Sequence, residues 1–253
     1  MVALDGRHAV VTGGGRGIGR AIAAALTASG AVVTVIGRGE PELIDTVRSG
    51  QAMAYAIADV TDESALAQVL GHAVAARGPI DILVANAGGA MSAPFLKTSP
   101  DQFRRMFDLN VMGVVNAANA VLGDMIARKF GRIIAVASTA GLKGYVYVSA
   151  YCAAKHAVVG LVRALAIETA KTGVTVNAVC PGYTDTDLTR DSLRRIADKT
   201  GRPHDDALAA MLKDVPLGRL IRPDEVAAAV SYLCSAEAAA VNGTTLPIAG
   251  GEI

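Results

Sequence analysis

The sequence predicts an α/β fold: one doubly wound parallel sheet of about seven strands, flanked by helices. Three observations predict it. Short apolar runs alternate with helix-length segments along the chain, a rhythm that implies parallel strands joined by right-handed crossovers. The first apolar run, residues 8–11, passes directly into five glycines between Gly13 and Gly19, after which Ile22, Ala25 and Leu26 recur at helical spacing. Composition supplies the core: 52% of the 253 residues are hydrophobic and 19% are charged, which excludes an unfolded chain. No linker, repeat or low-complexity segment interrupts the rhythm, so a single domain over 1–253 is expected.

Charge and special residues narrow the function classes. A formal net charge of +1 and the lack of a basic run argue against nucleic acid as a partner. The stretch from Met1 to His8 lacks a basic-then-apolar leader, and charges or glycines interrupt every apolar stretch, so no membrane span and a cytoplasmic location are expected. Cys152, Cys180 and Cys234 are odd in number and far apart, as reduced thiols would be. His8, His72, His156 and His204 have no metal-ligand spacing, so no metal is expected.

The elements follow in order. Strand 8–11 runs into Thr12-Gly13-Gly14-Gly15-Arg16-Gly17-Ile18-Gly19 and a helix, the layout of a pyrophosphate site on a helix N-terminus. Strand 31–36 ends in Gly37-Arg38, and 41–49 reads as a short helix. Strand 52–58 ends in Asp59-Val60, and Thr61 or Asp62 can cap a helix running to about Arg77. Strand 80–85 closes in Asn86-Ala87-Gly88-Gly89. One long helix is expected over 99–128, opened by Ser99-Pro100, with Asn110 set among apolar neighbours as a satisfied interior amide. Strand 132–137 delivers Ser138 to the carboxyl end of the sheet, where open α/β sheets bind ligands. A helix to about Lys171 carries Tyr151 and Lys155, strand 175–179 ends in Cys180-Pro181-Gly182, and a helix over 223–234 precedes a last strand, 244–248. Residues 184–216, charged and broken at Gly201-Arg202-Pro203, read as an irregular mobile lid.

Tyr151 and Lys155 carry the chemistry. Four residues apart, they share one helix face. A phenol near its unperturbed pKa of about 10 is a poor proton relay at neutral pH, and a nearby ammonium favours the phenolate. Ser138 could hold a carbonyl oxygen beside them, giving a proton donor and an oxygen anchor for ketone reduction.

Together these motifs resemble the short-chain dehydrogenase/reductase family over essentially the whole chain, and the resemblance implies a Rossmann-type fold. The matching residues are Thr12-Gly13-x-x-x-Gly17-x-Gly19, Asp59-Val60, Asn86-Ala87-Gly88, Asn110, Ser138, Tyr151-x-x-x-Lys155, Pro181-Gly182 and Thr186. The resemblance implies Tyr151 as general acid in reduction and base in oxidation, with Ser138 on the substrate oxygen. It implies that Lys155 holds the nicotinamide ribose and lowers the tyrosine pKa, and that Asn110 holds a water in the relay, in place of the interior amide. It assigns Gly13, Gly17, Ile18 and Gly19 to the pyrophosphate and Asp59 and Val60 to the adenine. Asn86 and Gly88 would lie along the cofactor edge and Thr186 at the carboxamide, with Pro181, Gly182 and Thr184 also expected to bind the cofactor. Ala85 and Thr139 stand where the family often has a second Asn and a second Ser.

Glycine rather than an acid at position 37, with Arg38 beside it and Arg16 in the loop, favours NADP over NAD, whose use stays open. Segments 137–141, 151–160, 174–182 and 216–226 look most like ketoreductases of the fatty-acyl and polyketide type. The expected activity is therefore reduction of a 3-oxoacyl thioester or similar ketone by NADPH. An NAD-dependent alcohol dehydrogenase and a non-catalytic dinucleotide-binding regulator are the alternatives. Substrate choice is expected to lie in 89–96, 142–148 and 183–211. Family habit implies a homotetramer paired through the long helices and the last strand and helix. The substrate could be CoA-bound or carrier-bound. Arg128, Lys129 and Lys171 read first as charges at helix ends and second as a carrier-protein dock.

Overall fold

A computed structural model of the chain describes residues 3–201 and 203–253; Arg202, at the expected break, and the first two residues of the expected leader-free N-terminus lie outside them. Seven parallel strands form one sheet in the order β3-β2-β1-β4-β5-β6-β7. They are β1 His8–Thr12, β2 Val32–Gly37, β3 Ala54–Ile57, β4 Ile82–Ala85, β5 Gly131–Val136, β6 Val174–Pro181 and β7 Thr245–Ile248. The order reverses between β1 and β4, which opens a crevice at their carboxyl ends.

The central strands are apolar on both faces because helices cover both. Val10, Leu83, Ile133 and Val176 lie in register across one face and join the core under helices α3 (Glu63–Arg77), α5 (Gly113–Ala127) and α6 (Ser149–Thr169). Val11, Val84 and Ile134 line the other face under α1 (Gly17–Ala28), α2 (Glu40–Arg48) and α9 (Pro223–Cys234). Asn177, fully buried, donates to the Val241 carbonyl at 2.8 Å and accepts from the Thr244 amide at 3.0 Å, which docks the approach to β7. The edge strand β3 is shorter than the expected 52–58, and its Tyr55 and Ile57 are exposed.

Three expectations change. The long helix over 99–128 is interrupted. After α4 (Pro100–Phe107), capped reciprocally by Ser99 and Gln102, residues Asp108–Met112 form a π-helical turn before α5. Such turns cluster at functional sites, and this one contains Asn110. Second, the irregular stretch folds into α7 (Asp187–Thr200) and α8 (His204–Leu212). Thr186 caps α7, Arg190 pairs with Asp185 and Asp187, Arg194 pairs with Asp191, and Leu193 is buried: the helix is strongly polar overall but keeps a narrow apolar side toward the protein. Third, the continuous helical run Pro100–Ala127 and α6 are long and apolar enough to cross a membrane, contrary to the expectation that no stretch was. In each, 44% of the most apolar window is buried within the protein, against the sheet and neighbouring helices. All three cysteines are free and buried.

Candidate active site

The glycine loop is shaped by contacts that exclude side chains. Gly13 and Gly17 have φ of 66° and 53°, the left-handed region. A Cβ on Gly13 would fall 2.8 Å from Asn86 Nδ2, and one on Gly19 would overlap the Gly13 carbonyl oxygen. Thr12 ties the two sides of the crevice together. Its hydroxyl accepts from the Asn86 and Ala87 amides, both at 3.0 Å, while Asn86 Nδ2 donates to the Thr12 and Gly13 carbonyls at 2.9 and 3.2 Å. Asn86 thus braces the loop. Helix α1 starts directly after it with no side-chain cap and no acid in its first turn, so its first N–H groups are left open to an anion. Ile18 is half-buried in that turn, and Arg16, at the cap position, is exposed.

Arg38 follows β2 with a side chain 74% exposed and lies 3.4 Å from Asp59 at the end of β3. Asp59 also accepts from the Thr61 amide and hydroxyl, and these bonds hold its carboxyl below the usual range. Val60 is buried; its carbonyl accepts from Asn116 at 2.9 Å. On the far side of the crevice, Thr186 packs against Gly17: a Cβ there would lie 3.2 Å from the Thr186 methyl. Thr184 is buried and donates to the Gly182 carbonyl at 3.0 Å, and its backbone bridges to Ile221. These contacts close the loop after Pro181-Gly182 over the glycine loop.

Ser138, Tyr151, Lys155 and Asn110 meet at the ends of β4 and β5. Lys155 is buried, donates to the Val136 carbonyl at 2.8 Å and lies 5.7 Å from the Tyr151 ring centre. Ser138 accepts from the Ala140 amide at 3.1 Å, and its hydroxyl is near enough to Tyr151 to favour the phenolate. Gly88 fits between Asn110 and Lys155: a Cβ there would be 2.8 Å from Asn110 Oδ1 and 3.6 Å from Lys155 Nζ. Asn110 is fully buried. Its Nδ2 donates to the Gly89 and Met106 carbonyls, both at 3.0 Å, and its Oδ1 accepts from the Gly89 amide at 3.3 Å.

The electrostatics differ from expectation in one respect. Burial pushes Tyr151 up to about 12, with the Ser138 hydroxyl pulling the other way, and the Lys155 ammonium is not among the causes. Burial also lowers Lys155 to about 8. Burial works against the charged form of each group, so as pH rises the ammonium is lost before the phenolate forms. The neutral phenol is the stable form here, and that is the form a proton donor needs.

The substrate side of the site contains residues that the sequence reading passed over. Tyr145, in loop 142–148, hydrogen-bonds Thr139 and Glu252 at 2.6 Å each and packs edge-on to Tyr183 at 6.0 Å. Tyr145 and Tyr183 lie within segments already singled out; nothing in the sequence marks Glu252.

A family model described as short chain dehydrogenase matches residues 7–196. The chain is 37% identical over 246 residues to an acetoacetyl-CoA reductase of Shinella zoogloeoides, covering 97% of this chain and 98% of that protein. It is 37% identical over 252 residues to the 3-oxoacyl-(acyl-carrier-protein) reductase FabG of Vibrio harveyi, covering 98% of each. A crystal structure of a variant actinorhodin polyketide ketoreductase with NADPH superimposes with a TM-score of 0.94 at 36% identity, over 100% of this chain and 99% of that one. With the crevice, the uncapped helix α1 and the Ser138, Tyr151 and Lys155 cluster all in one sheet end, these matches agree with the fold on the same conclusion: the chain belongs to the short chain dehydrogenase family and is an oxidoreductase of that kind.

Proposed function

We propose that the protein reduces a 3-oxoacyl thioester or a similar ketone with NADPH. The observation that carries the reading is the convergence of Ser138, Tyr151 and the buried Lys155, which is held by the Val136 carbonyl, beside a crevice shaped for a dinucleotide. The bound nicotinamide supplies the hydride. Ser138 orients the carbonyl oxygen, and Tyr151 gives it a proton as charge develops there. Lys155, held by the Val136 carbonyl, steers the ribose and, with Asn110 and Gly88 alongside, feeds the proton path behind Tyr151. The same groups run alcohol oxidation by microscopic reversibility, so direction follows cofactor and substrate supply. The ketoreductase named in the structural match holds NADPH, and the curated relatives named above are reductases, which supports the reducing direction.

For the cofactor, the tight packing around Gly13, Gly17 and Gly19 brings the uncapped N-terminus of α1 to a pyrophosphate, and Arg38 and Arg16 offer cations to a 2′-phosphate. Residues 184–216, with α7 and α8, close the site as a lid. The whole chain acts as one cytoplasmic domain. Met112, Ile126 and Ile167 leave exposed apolar surface on the two long helical segments, which supports pairing into a homotetramer. A panel of ketones, acyl thioesters included, assayed with both cofactors and in both directions, tests the reading; turnover with no member of the panel would reject it.

A further inference from the structure

The chain leaves β7 and reverses through two left-handed glycines, Gly250 (φ 61°) and Gly251 (φ 87°). Leu217 donates to the Gly250 carbonyl at 3.0 Å, and a Cβ on Gly251 would fall 3.3 Å from Pro216 Cγ, so this turn rests on the end of the proposed lid. The reversal carries Glu252 back under β6, where its side chain is only 2% exposed. Gly182 makes the room: a Cβ there would be 3.0 Å from Glu252 Oε2.

A carboxylate so buried is costly unless it is paired. Its partners, all on Oε1, come from loop 142–148, and Oε2 is buried with no hydrogen-bond partner among the described residues. Lys143 Nζ lies 3.2 Å from Oε1 and donates to the Glu252 backbone carbonyl, also at 3.2 Å. The Tyr145 hydroxyl lies 2.6 Å from Oε1. A phenol has one proton, and a carboxylate can only accept, so Tyr145 donates to Glu252 and the Thr139 hydroxyl donates to the Tyr145 oxygen at 2.6 Å. This chain of bonds begins one residue after Ser138. At the other end of the loop, the Ala93 amide donates to the Tyr147 carbonyl at 2.7 Å. The three segments expected to choose the substrate therefore meet around Tyr145, and the C-terminal Glu252 holds the junction.

We propose that Glu252 is a positioning residue for the ketone: through Tyr145 and Thr139 it fixes loop 142–148 at a set distance from Ser138. This rests on the ketone-reductase reading. It requires no contact between Glu252 and either substrate or cofactor. Removing the clamp should loosen the substrate wall and leave the dinucleotide crevice untouched.

The experiment compares Glu252→Gln, Tyr145→Phe and the double variant with the wild type, in the full chain. Each single variant should raise the ketone KM about tenfold or more, with NADPH binding, followed by its fluorescence, within about twofold of wild type. The double variant should be little worse than either single one, because one bond chain is cut once. Unchanged ketone KM in both single variants, or an equal loss of NADPH affinity, would overturn the proposal. If Glu252→Gln does not fold, Tyr145→Phe, which deletes one oxygen, decides alone. Amide hydrogen exchange over 142–148 separates this idea from the assigned reaction. Should the wild type reduce no ketone, faster exchange in Glu252→Gln would still support the clamp, and unchanged protection would reject it.

Discussion

The Lys155 ammonium lies 5.7 Å from the centre of the Tyr151 ring and donates to the Val136 carbonyl at 2.8 Å rather than to the phenol. With Tyr151 pushed up to about 12, the protonated phenol dominates across the neutral range. Reduction needs that form, whereas oxidation needs the phenolate. The kcat/KM for an alcohol should therefore climb steeply between pH 7 and 9, approaching tenfold per unit. Ketone reduction should stay flat or fall over the same range. Paired pH profiles check this, and an oxidation rate that is level from pH 6 to 9 would mean that the phenol ionises far lower.

Burying Lys155 has a cost that substitution can reveal. Its folded pKa of about 8 lies below the ordinary lysine value of 10.5, so between those values the unfolded chain binds the extra proton. Stability from this group thus rises as pH increases through 8 to 10.5, and below 8 the buried charge is a standing penalty. Lys155→Met should melt higher than wild type at pH 7 without cofactor, by on the order of 2 kcal/mol, with the gap closing near pH 10. The same variant should lose turnover and cofactor affinity. Tyr151→Phe should lose at least about 10²-fold in turnover while binding cofactor nearly normally. Thermal melts at two pH values and single-turnover assays decide both; a Tyr151→Phe enzyme keeping a third of the activity would remove the phenol from the mechanism.

The fold and most of the site were legible because their signals are local. Val10 and Val11 face opposite cores, but both are buried, so β1 reads as an unbroken apolar run ending in glycines that nothing else explains. Asn110 was half legible: the sequence marks an amide in an apolar setting, yet its partners Gly89 and Met106 depend on the π turn, which leaves no local pattern. The helices of 184–216 were hidden because α7 is dominated by charged residues, such as the exposed pair Arg194 and Asp191, which mask its narrow apolar side at Leu193. The phenol pKa was misjudged because spacing shows that a lysine is near, and says nothing of how dry both groups are. Glu252 was invisible, since its burial arises from a chain reversal at Gly250 and Gly251 and from partners more than a hundred residues away.

Charge at the helix ends bears on how a thioester would arrive. Arg128 is committed: it pairs with Asp81 and Asp124 and donates to the Ile80 carbonyl at 2.7 Å. It ties α5 to the start of β4 and is removed from the docking set. Lys129 and Lys171 are exposed. If an acidic carrier protein docks there, Lys129→Glu with Lys171→Glu should raise KM for carrier-bound substrate several-fold, less so at high salt. The KM for a short free thioester should not change. Equal effects on both substrates would assign these lysines to helix ends alone.

Cofactor choice turns on Arg38 and Gly37. An acid at the end of the second strand would bond the free ribose 2′-hydroxyl of NAD, and its charge would repel a 2′-phosphate. Gly37 leaves that place without a side chain, and a Cβ there would meet only Leu43 at 3.5 Å, so the position accepts substitution. Arg38 is mostly exposed and leans 3.4 Å from Asp59, a long pairing that is weak in solvent and readily exchanged for a phosphate. Arg16 stands exposed at the start of α1, where the glycine loop brings it to the same end of the crevice. Two cations with one loosely held carboxylate favour NADPH by about 30-fold in kcat/KM, the equivalent of about 2 kcal/mol. Arg38→Ala should remove most of that preference. Gly37→Asp with Arg38→Ala should reverse it, because the new carboxylate faces the ribose and leaves only Arg16 to attract a phosphate. Asp59→Asn should sharpen the preference for NADPH slightly, since it frees Arg38 from its competing partner. Steady-state constants for both cofactors across the four proteins check the set, and a wild type that uses NADH as well as NADPH would show that neither arginine reads the phosphate.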